Sequence, residues 1–305
     1  MPAVANESDA VRDSGPRRVV IQRNPTSGSG RGRQQIRMLI RHLREAGFVV
    51  RLFANRDRLD DFVQRSEIRN SIFALVAAGG DGTVAGLCHR HPDLPIAVLP
   101  MGTENLVARH LNIPRCGRTV ANMIRGGKSR VFDTAFVNDQ RFLLMASAGV
   151  DAEVVHRLST ERTGNISYWS YLQPIARSFL KYHYPPIDVC SRDGKVLATG
   201  SHVIVTNIPE YGFRMKFSPQ ADPADGKLDV RIYQHAGRQR TILHALRTRA
   251  GWGDRPGDVV RLQAESVELK ARDQHVPVQF DGDPVGLCPV QIRIDPQSLR
   301  LFVPT

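Results

Sequence analysis

Ser71-Ile72-Phe73-Ala74-Leu75-Val76-Ala77-Ala78-Gly79-Gly80-Asp81-Gly82-Thr83 is the stretch on which the reading of this chain turns. Residues 71 to 78 are apolar without alternation, as a strand of a parallel sheet covered on both faces requires. Gly79-Gly80-Asp81-Gly82 stops that run abruptly, just before a helical segment. Glycines let backbone come close to a phosphate, and the free N–H groups and positive dipole end of the following helix favour an anion. A carboxylate in such a turn repels phosphate unless a cation is present. Asp81 is therefore expected to handle magnesium, or the hydroxyl groups and water around a nucleotide. A tight turn capped by Asp81 is the plain alternative.

Working outward, Arg18 to Gln22 is a short β-branched run that stops at Asn24-Pro25. Thr26-Ser27-Gly28-Ser29-Gly30 leads from it into a segment with Ile36, Leu39, Ile40 and Leu43 at helical spacing, and Gly47 is a natural stop. Phe48 to Phe53 reads as a second strand and residues 57 to 69 as a weaker helix. Pro95 to Leu99 is another strand, followed by a turn at Pro100 to Gly102 and a helix to about Leu111. Alternating strands and helices predict a doubly wound α/β domain whose ligands sit outside the carboxyl ends of the strands. Three loops rich in Gly, Ser and Thr should then share one edge. The first lacks the Lys of a Walker A loop, which excludes that mechanism. In the third, Thr103 and Asn105 can both donate hydrogen bonds at a helix N-terminus, or simply cap it.

Beyond about Arg130 the strands shorten: Val131 to Val137, Phe142 to Ala148, Ile187 to Cys190, His202 to Asn207, Leu228 to Tyr233, and several between Val259 and Ile294. Turn signals such as Asn138-Asp139 and Ala224-Asp225-Gly226 separate them, which predicts a mainly antiparallel β domain. Helical stretches interrupt it near Ser167 to Lys181 and Arg240 to Arg249; the aromatic residues of the first suit core or interface packing. The expected organisation is a disordered tail over 1–16, an α/β nucleotide-binding domain over 17–130 completed by 293–305, and a β-rich substrate domain over 131–292.

Lys and Arg outnumber Asp and Glu by 42 to 30, a formal net charge of +12 that attracts polyanions. The arginines are dispersed, without a reading helix, zinc module or stacking platform, so nucleic acid is not expected as a partner. No apolar run reaches the roughly 18 to 20 residues of a membrane-spanning helix, and the first residues lack the apolar core of a signal peptide, so a cytoplasmic protein is expected. Cys88, Cys116, Cys190 and Cys288 have no paired metal-ligand spacing and read as buried reduced thiols. His42, His89, His91 and His110 are expected at the surface or at helix caps.

Together the loops at residues 24 to 28, 79 to 83 and 100 to 105, with a late Phe280-Asp281-Gly282-Asp283, resemble the diacylglycerol kinase catalytic domain family, which includes sphingosine and ceramide kinases. The resemblance runs from about Arg18 onward. It implies that ATP is held by Asn24, Pro25, Thr26, Ser27, Gly28, Gly79, Gly80, Asp81, Gly82, Thr83, Val84, Ala85, Gly86, Gly102, Thr103 and Asn105. It also implies a separate metal in the β domain, with a carboxylate from Asp225 and backbone carbonyls from Asp222 and Lys227; an ordinary Asp-Gly turn is the alternative.

Two departures matter. Asp283 stands where the family has Glu, the candidate general base, and reaches less far by about one methylene, on the order of 1.5 Å. Asp81 competes for that role. Leu106 stands where diacylglycerol kinases commonly have Asp, which leaves glycerolipid, sphingoid base and other amphiphilic alcohols open as acceptors. The expected activity is transfer of the ATP γ-phosphoryl group, with Mg2+, to a lipid hydroxyl at a membrane surface that the basic protein contacts transiently; a homodimer is left open. Rival readings are an NAD kinase-like phosphotransferase and a catalytically impaired nucleotide- and lipid-binding regulator.

Overall fold

A computed structural model describes residues 15–25, 30–160, 182–212, 215–235, 237–255, 257–272 and 275–304. Thr26, Ser27 and Gly28 of the first loop, the helical stretch expected near Ser167 to Lys181, and residues 1–14 of the expected tail lie outside these ranges.

Four strands form the parallel part: β1 (Arg18–Arg23), β2 (Val49–Phe53), β3 (Ile72–Gly79) and β4 (Ile96–Pro100), in the order β2-β1-β3-β4. β3 and β4 are buried along almost their whole length, so both faces need helices, and the unbroken apolar run of residues 72 to 79 follows from that. Helix α1 (Gly30–Glu45) turns Ile36, Leu39 and Leu43 inward and ends at Gly47, whose φ of +83° suits a residue without Cβ. The weak pattern at 57–69 resolves into α2 (Arg56–Gln64), with Asn55 accepting the Arg58 N–H, and the single turn α3 (Ser66–Arg69). α4 (Asp81–Arg90) and α5 (Leu106–His110) follow β3 and β4.

Two helices were not anticipated. α6 (Gly117–Gly126) buries Val120, Ala121, Met123 and Ile124 against α1 and β4. Its register is written in those four apolar residues at helical spacing, with polar residues on the opposite face. α7 (Val150–Thr160) breaks the β rhythm directly after β7 (Met145–Ala148).

The antiparallel strands do not stand apart from the first sheet. β5 (Ser129–Val137), β6 (Gln140–Phe142), β8 (Ile187–Cys190), β9 (Val196–Gly200), β15 (Ser266–Ala271) and β18 (Val290–Phe302) extend it to ten strands. The join is β18, which pairs parallel with β4 through Leu301 and Ile96, and antiparallel with β5 and β15. Packed against this extension is a six-stranded sheet in the order β14-β13-β10-β7-β16-β17. Its remaining members are β10 (His202–Thr206), β13 (Leu228–Tyr233), β14 (Val259–Ala264), β16 (Pro277–Phe280) and β17 (Asp283–Leu287). Val137, Phe142, Ile187 and Ile292 from one sheet meet Ala148, Val203, Val230 and Val278 from the other in a single apolar core. A hairpin of β11 (Glu210–Tyr211) and β12 (Met215–Lys216) and the helix α8 (Arg238–Arg249) complete the chain. No helix among the described residues is long and apolar enough to cross a membrane.

Asp133 ties these parts together. It is buried in β5, and its carboxylate accepts the N–H of Gln297, in β18, at 2.7 Å and of Gly226 at 2.8 Å. Removing it leaves two N–H donors, one on half-buried Gly226 and one on exposed Gln297, without their partner, so Asp133→Ala should lower unfolding free energy by about 1 to 3 kcal/mol in urea denaturation. A change below about 0.5 kcal/mol would show that water replaces the carboxylate.

Candidate active site

Adjacent parallel strands put the ends of β1, β3 and β4, and the loops after β3 and β4, side by side. The Asn24 N–H donates to Ala78 O at 3.1 Å and the Met101 N–H to Gly79 O at 2.8 Å, which carries the β-type pairing to the loop mouths. Gly80 and Gly102 then meet backbone to backbone. A Cβ added to Gly102 would sit 2.6 Å from Gly80 Cα, inside any tolerated contact, and one on Gly79 would sit 2.1 Å from Thr83 Oγ1. These glycines are required by close approach rather than by an unusual backbone angle.

Asp81 connects the second loop to the third. It is the first residue of α4, and its Oδ1 accepts the Val107 N–H at 3.1 Å, so it caps α5 from another segment. Burial pushes its carboxyl up from the ordinary value, while the N–H groups of Leu106 and Val107 pull the other way. Asn105 is therefore not the cap of α5 that its position suggested. With φ +49° it folds back on its own loop, its Oδ1 accepting the Gly102 N–H and its Nδ2 donating to Gly102 O, both at 2.8 Å. Arg115 Nη2 reaches the same carbonyl at 2.6 Å. Thr103 is exposed at the rim of a cavity of about 330 Å³, with Glu104, Arg109 and Arg115 also lining it. Thr83 and Val84 are buried behind the loop, Ala85 and Gly86 half-buried, and Gly82 exposed.

Opposite stands a residue the sequence reading passed over. Asp281 follows β16 with φ +48°, a left-handed conformation uncommon for a side-chain-bearing residue. Its Oδ1 accepts the N–H groups of Leu144 and Met145 at 2.9 and 3.0 Å, and its Oδ2 that of Leu143 at 2.8 Å. Burial nevertheless pushes its pKa up to about 6, and the charge of Asp81 pushes in the same direction. Asp281 thus senses the charge of Asp81. Asp283, two residues on, is exposed at the start of β17 and is not drawn into this pair. Asp281 belongs to the same Asp-Gly-Asp motif, and its φ followed by Gly282 at +88° is the signal that separates it from Asp283.

A second polar cluster was also not anticipated. Asp151, at the start of α7, accepts from Ser147 Oγ at 2.5 Å and from Tyr211 OH at 3.2 Å, and lies 2.9 Å from His202 Nε2. The His202 partner holds its carboxyl below the ordinary value against the effect of burial. Gln279 Nε2 donates to Ser147 Oγ at 2.7 Å, and its Oε1 accepts the Gly282 N–H at 3.0 Å, so the cluster abuts the Asp281 turn.

The 222–227 segment is a turn whose carboxylates face its own backbone. Asp222 accepts the Ala224 N–H at 3.1 Å and Asp225 the Lys227 N–H at 2.9 Å, and Asp133 anchors the turn through Gly226. No group of three His, Cys, Asp or Glu side chains suited to a metal occurs among the described residues. The donors that remain are hard oxygens, which suit a hard cation in type. Cys88, Cys190 and Cys288 are buried free thiols as expected, whereas Cys116 is part-exposed. His91 takes the cap role that was one of its two expected places: it is the C-cap of α4, buried, with Nε2 2.7 Å from Asp60.

This geometry has known counterparts. The diacylglycerol kinase catalytic domain pattern matches residues 18–137, and the YegS C-terminal NAD kinase beta sandwich-like domain pattern matches residues 145–303. The chain is 26% identical to a diacylglycerol kinase of Staphylococcus carnosus, covering 94% of this chain and 95% of that one. It is also 26% identical to a diacylglycerol kinase of Bacillus subtilis, over 90% and 92%. In fold it is similar to a diacylglycerol kinase crystal structure from Bacillus anthracis, with TM-score 0.69 and 20% identity over 95% and 98% of the two chains. A yeast NADH kinase complexed with NADH is more distant, with TM-score 0.52 and 14% identity over 96% and 84%. The chain belongs to the diacylglycerol kinase family, with a catalytic domain in its first half and a YegS-type β-sandwich domain in its second, and is a phosphotransferase of the alcohol-acceptor class.

Proposed function

We propose that this protein transfers the γ-phosphoryl group of ATP to the hydroxyl of a diacylglycerol-like or sphingoid lipid, in the cleft between the glycine loops and the Asp281 turn. The observation that carries this reading is the backbone-to-backbone approach of the glycine loops after β3 and β4, with Asp81 reaching from one loop to cap the helix that follows the other. The N-terminal end of α4, just after Gly80, would receive phosphate oxygens, as at other helix N-termini, while Asn105 holds the Gly102 N–H and so fixes the shape of the third loop. Mg2+ carried in with ATP would neutralise phosphate charge, with Asp81 as the nearest carboxylate to it; a second cation, if one binds, belongs at Asp225 with the carbonyls of Asp222 and Lys227.

Asp281 is the better base than Asp283, because its raised pKa suits a proton acceptor near neutrality and its oxygens are fixed by three N–H groups. It takes the acceptor hydroxyl proton as the oxygen attacks the γ-phosphorus in line and ADP leaves. Positioning and charge neutralisation supply most of the acceleration. Leu106, buried where many relatives carry Asp, leaves the acceptor to be chosen by shape rather than by that carboxylate.

Incubation with radiolabelled ATP and a panel of lipid alcohols should place label in an organic-soluble product. Label confined to a water-soluble nucleotide would favour the NAD kinase-like alternative, and no label in any product would refute both. The Gly102→Ala variant should bind ATP about 10- to 100-fold more weakly by calorimetry, because the added methyl forces the two loops apart. Unchanged affinity would separate those loops from the nucleotide.

A base must be ionised to act, so kcat/KM should fall as pH drops through about 6, where Asp281 takes up its proton. Asp281→Asn should lower kcat by roughly 10²- to 10⁴-fold and abolish that acid limb. Asp283→Asn should keep it; loss of the limb in Asp283→Asn instead would give the base role to Asp283.

A further inference from the structure

We infer that α8 and the turn after it form the surface by which this protein docks on an anionic lipid bilayer, an inference that rests on a lipid acceptor for the reaction above. α8 is held to the protein by one face. His244 is buried and packs edge-on against Tyr233 with ring centroids 5.0 Å apart, and the helix leans on β12. Its other face presents Ile242 and Leu246, one turn apart, with 51% and 62% of their surfaces in water.

The chain then folds back in a Schellman turn. The Gly251 N–H donates to Thr248 O and the Trp252 N–H to Arg247 O, with Gly251 at φ +71°. Arg247 also donates to Gly253 O, at 3.0 and 2.7 Å, so the turn is pinned from both sides. Trp252 is thereby fixed at the end of the helix, with 66% of its surface exposed. Ile242, Leu246 and Trp252 are the three most exposed large hydrophobic residues among those described.

Charge names the occupant. Residues 237–255 contain five arginines and one aspartate. Asp254 is already engaged by Arg231 and Arg261, and Asp258 by Arg240. The apolar ridge is thus edged by cations, the composition of a helix that lies in a membrane interface, with Trp at headgroup level and Arg stems reaching to anionic lipid. A second copy of the chain is disfavoured, since a two-fold contact would set one arginine-rich face against another.

The location connects docking to the site. α8 packs on β12, and β11 of the same hairpin packs on α5, the helix that Asp81 caps. A bilayer seated on α8 therefore lies next to the elements that frame the cleft.

The test uses the full chain and sedimentation with acceptor-free vesicles of phosphatidylcholine, alone or with about 30% phosphatidylglycerol. Wild type should bind the anionic vesicles, and less so in about 0.5 M NaCl. A variant carrying Ile242→Ser, Leu246→Ser and Trp252→Ser should lose about tenfold or more of that binding. Its melting temperature and its turnover of a water-soluble short-chain acceptor should be unchanged. Equal vesicle binding by variant and wild type overturns the proposal, as does conversion of a wild-type dimer to monomer in the variant, which would make this face a contact between copies. If wild type labels no lipid while the variant still loses binding, docking stands and the lipid-kinase reading falls; turnover with unaltered binding gives the reverse.

Discussion

Contact between the backbones of Gly80 and Gly102 is the constraint from which the catalytic half of this protein takes its shape. Two loops leaving neighbouring parallel strands can touch at that distance only where Gly102 has no side chain, and a Cβ on Gly80 would already be tight at 3.3 Å from Gly102 Cα. Once they touch, Asp81 comes within reach of the Val107 N–H, and α5 begins where it does because a carboxylate from another segment caps it. The cost is a carboxylate drawn out of water with a pKa pushed upward, which is also what makes it responsive to a cation or to a proton.

The other half completes the site without being a separate lobe. β18 runs thirteen residues, pairing near its end with β4 and along its length with β5 and β15, so one continuous sheet carries the parallel strands and half of the sandwich. Asp133 reinforces the join from within. The second sheet packs on that platform and carries the Asp281 turn, whose carboxylate accepts the N–H groups of Leu143, Leu144 and Met145. Sheet continuity fixes the two carboxylates relative to each other more firmly than a hinge between independent domains would.

What could be read from residues alone followed physical strength of signal. The unbroken apolar run before Gly79 announced a buried parallel strand, the small-residue loops after β3 and β4 announced their shared edge, and Ile187 to Cys190 and Leu228 to Tyr233 matched their strands end to end. α6 and α7 escaped because each is a short helix of ten or eleven residues set directly beside strand signals, although both carry apolar residues at helical spacing. Asp281 escaped for a different reason: its importance arises from burial and from Asp81, 200 positions earlier in the chain, and neither is a local property. The network of Asp151, His202 and Ser147 is likewise assembled from strands that only the fold brings together. The same holds for the sharing of one sheet, since pairing partners are not written in the strand itself.

Central to all of this is a single anion cradle formed by the glycine loops and faced by the Asp281 turn. Backbone hydrogen exchange, followed by mass spectrometry with and without a non-hydrolysable ATP analogue, tests it most directly. Slowed exchange appearing together in peptides that cover residues 79–83, 100–107 and 281–283 is the expected result. Protection confined to other segments, or to only one of these three, would contradict a shared cradle.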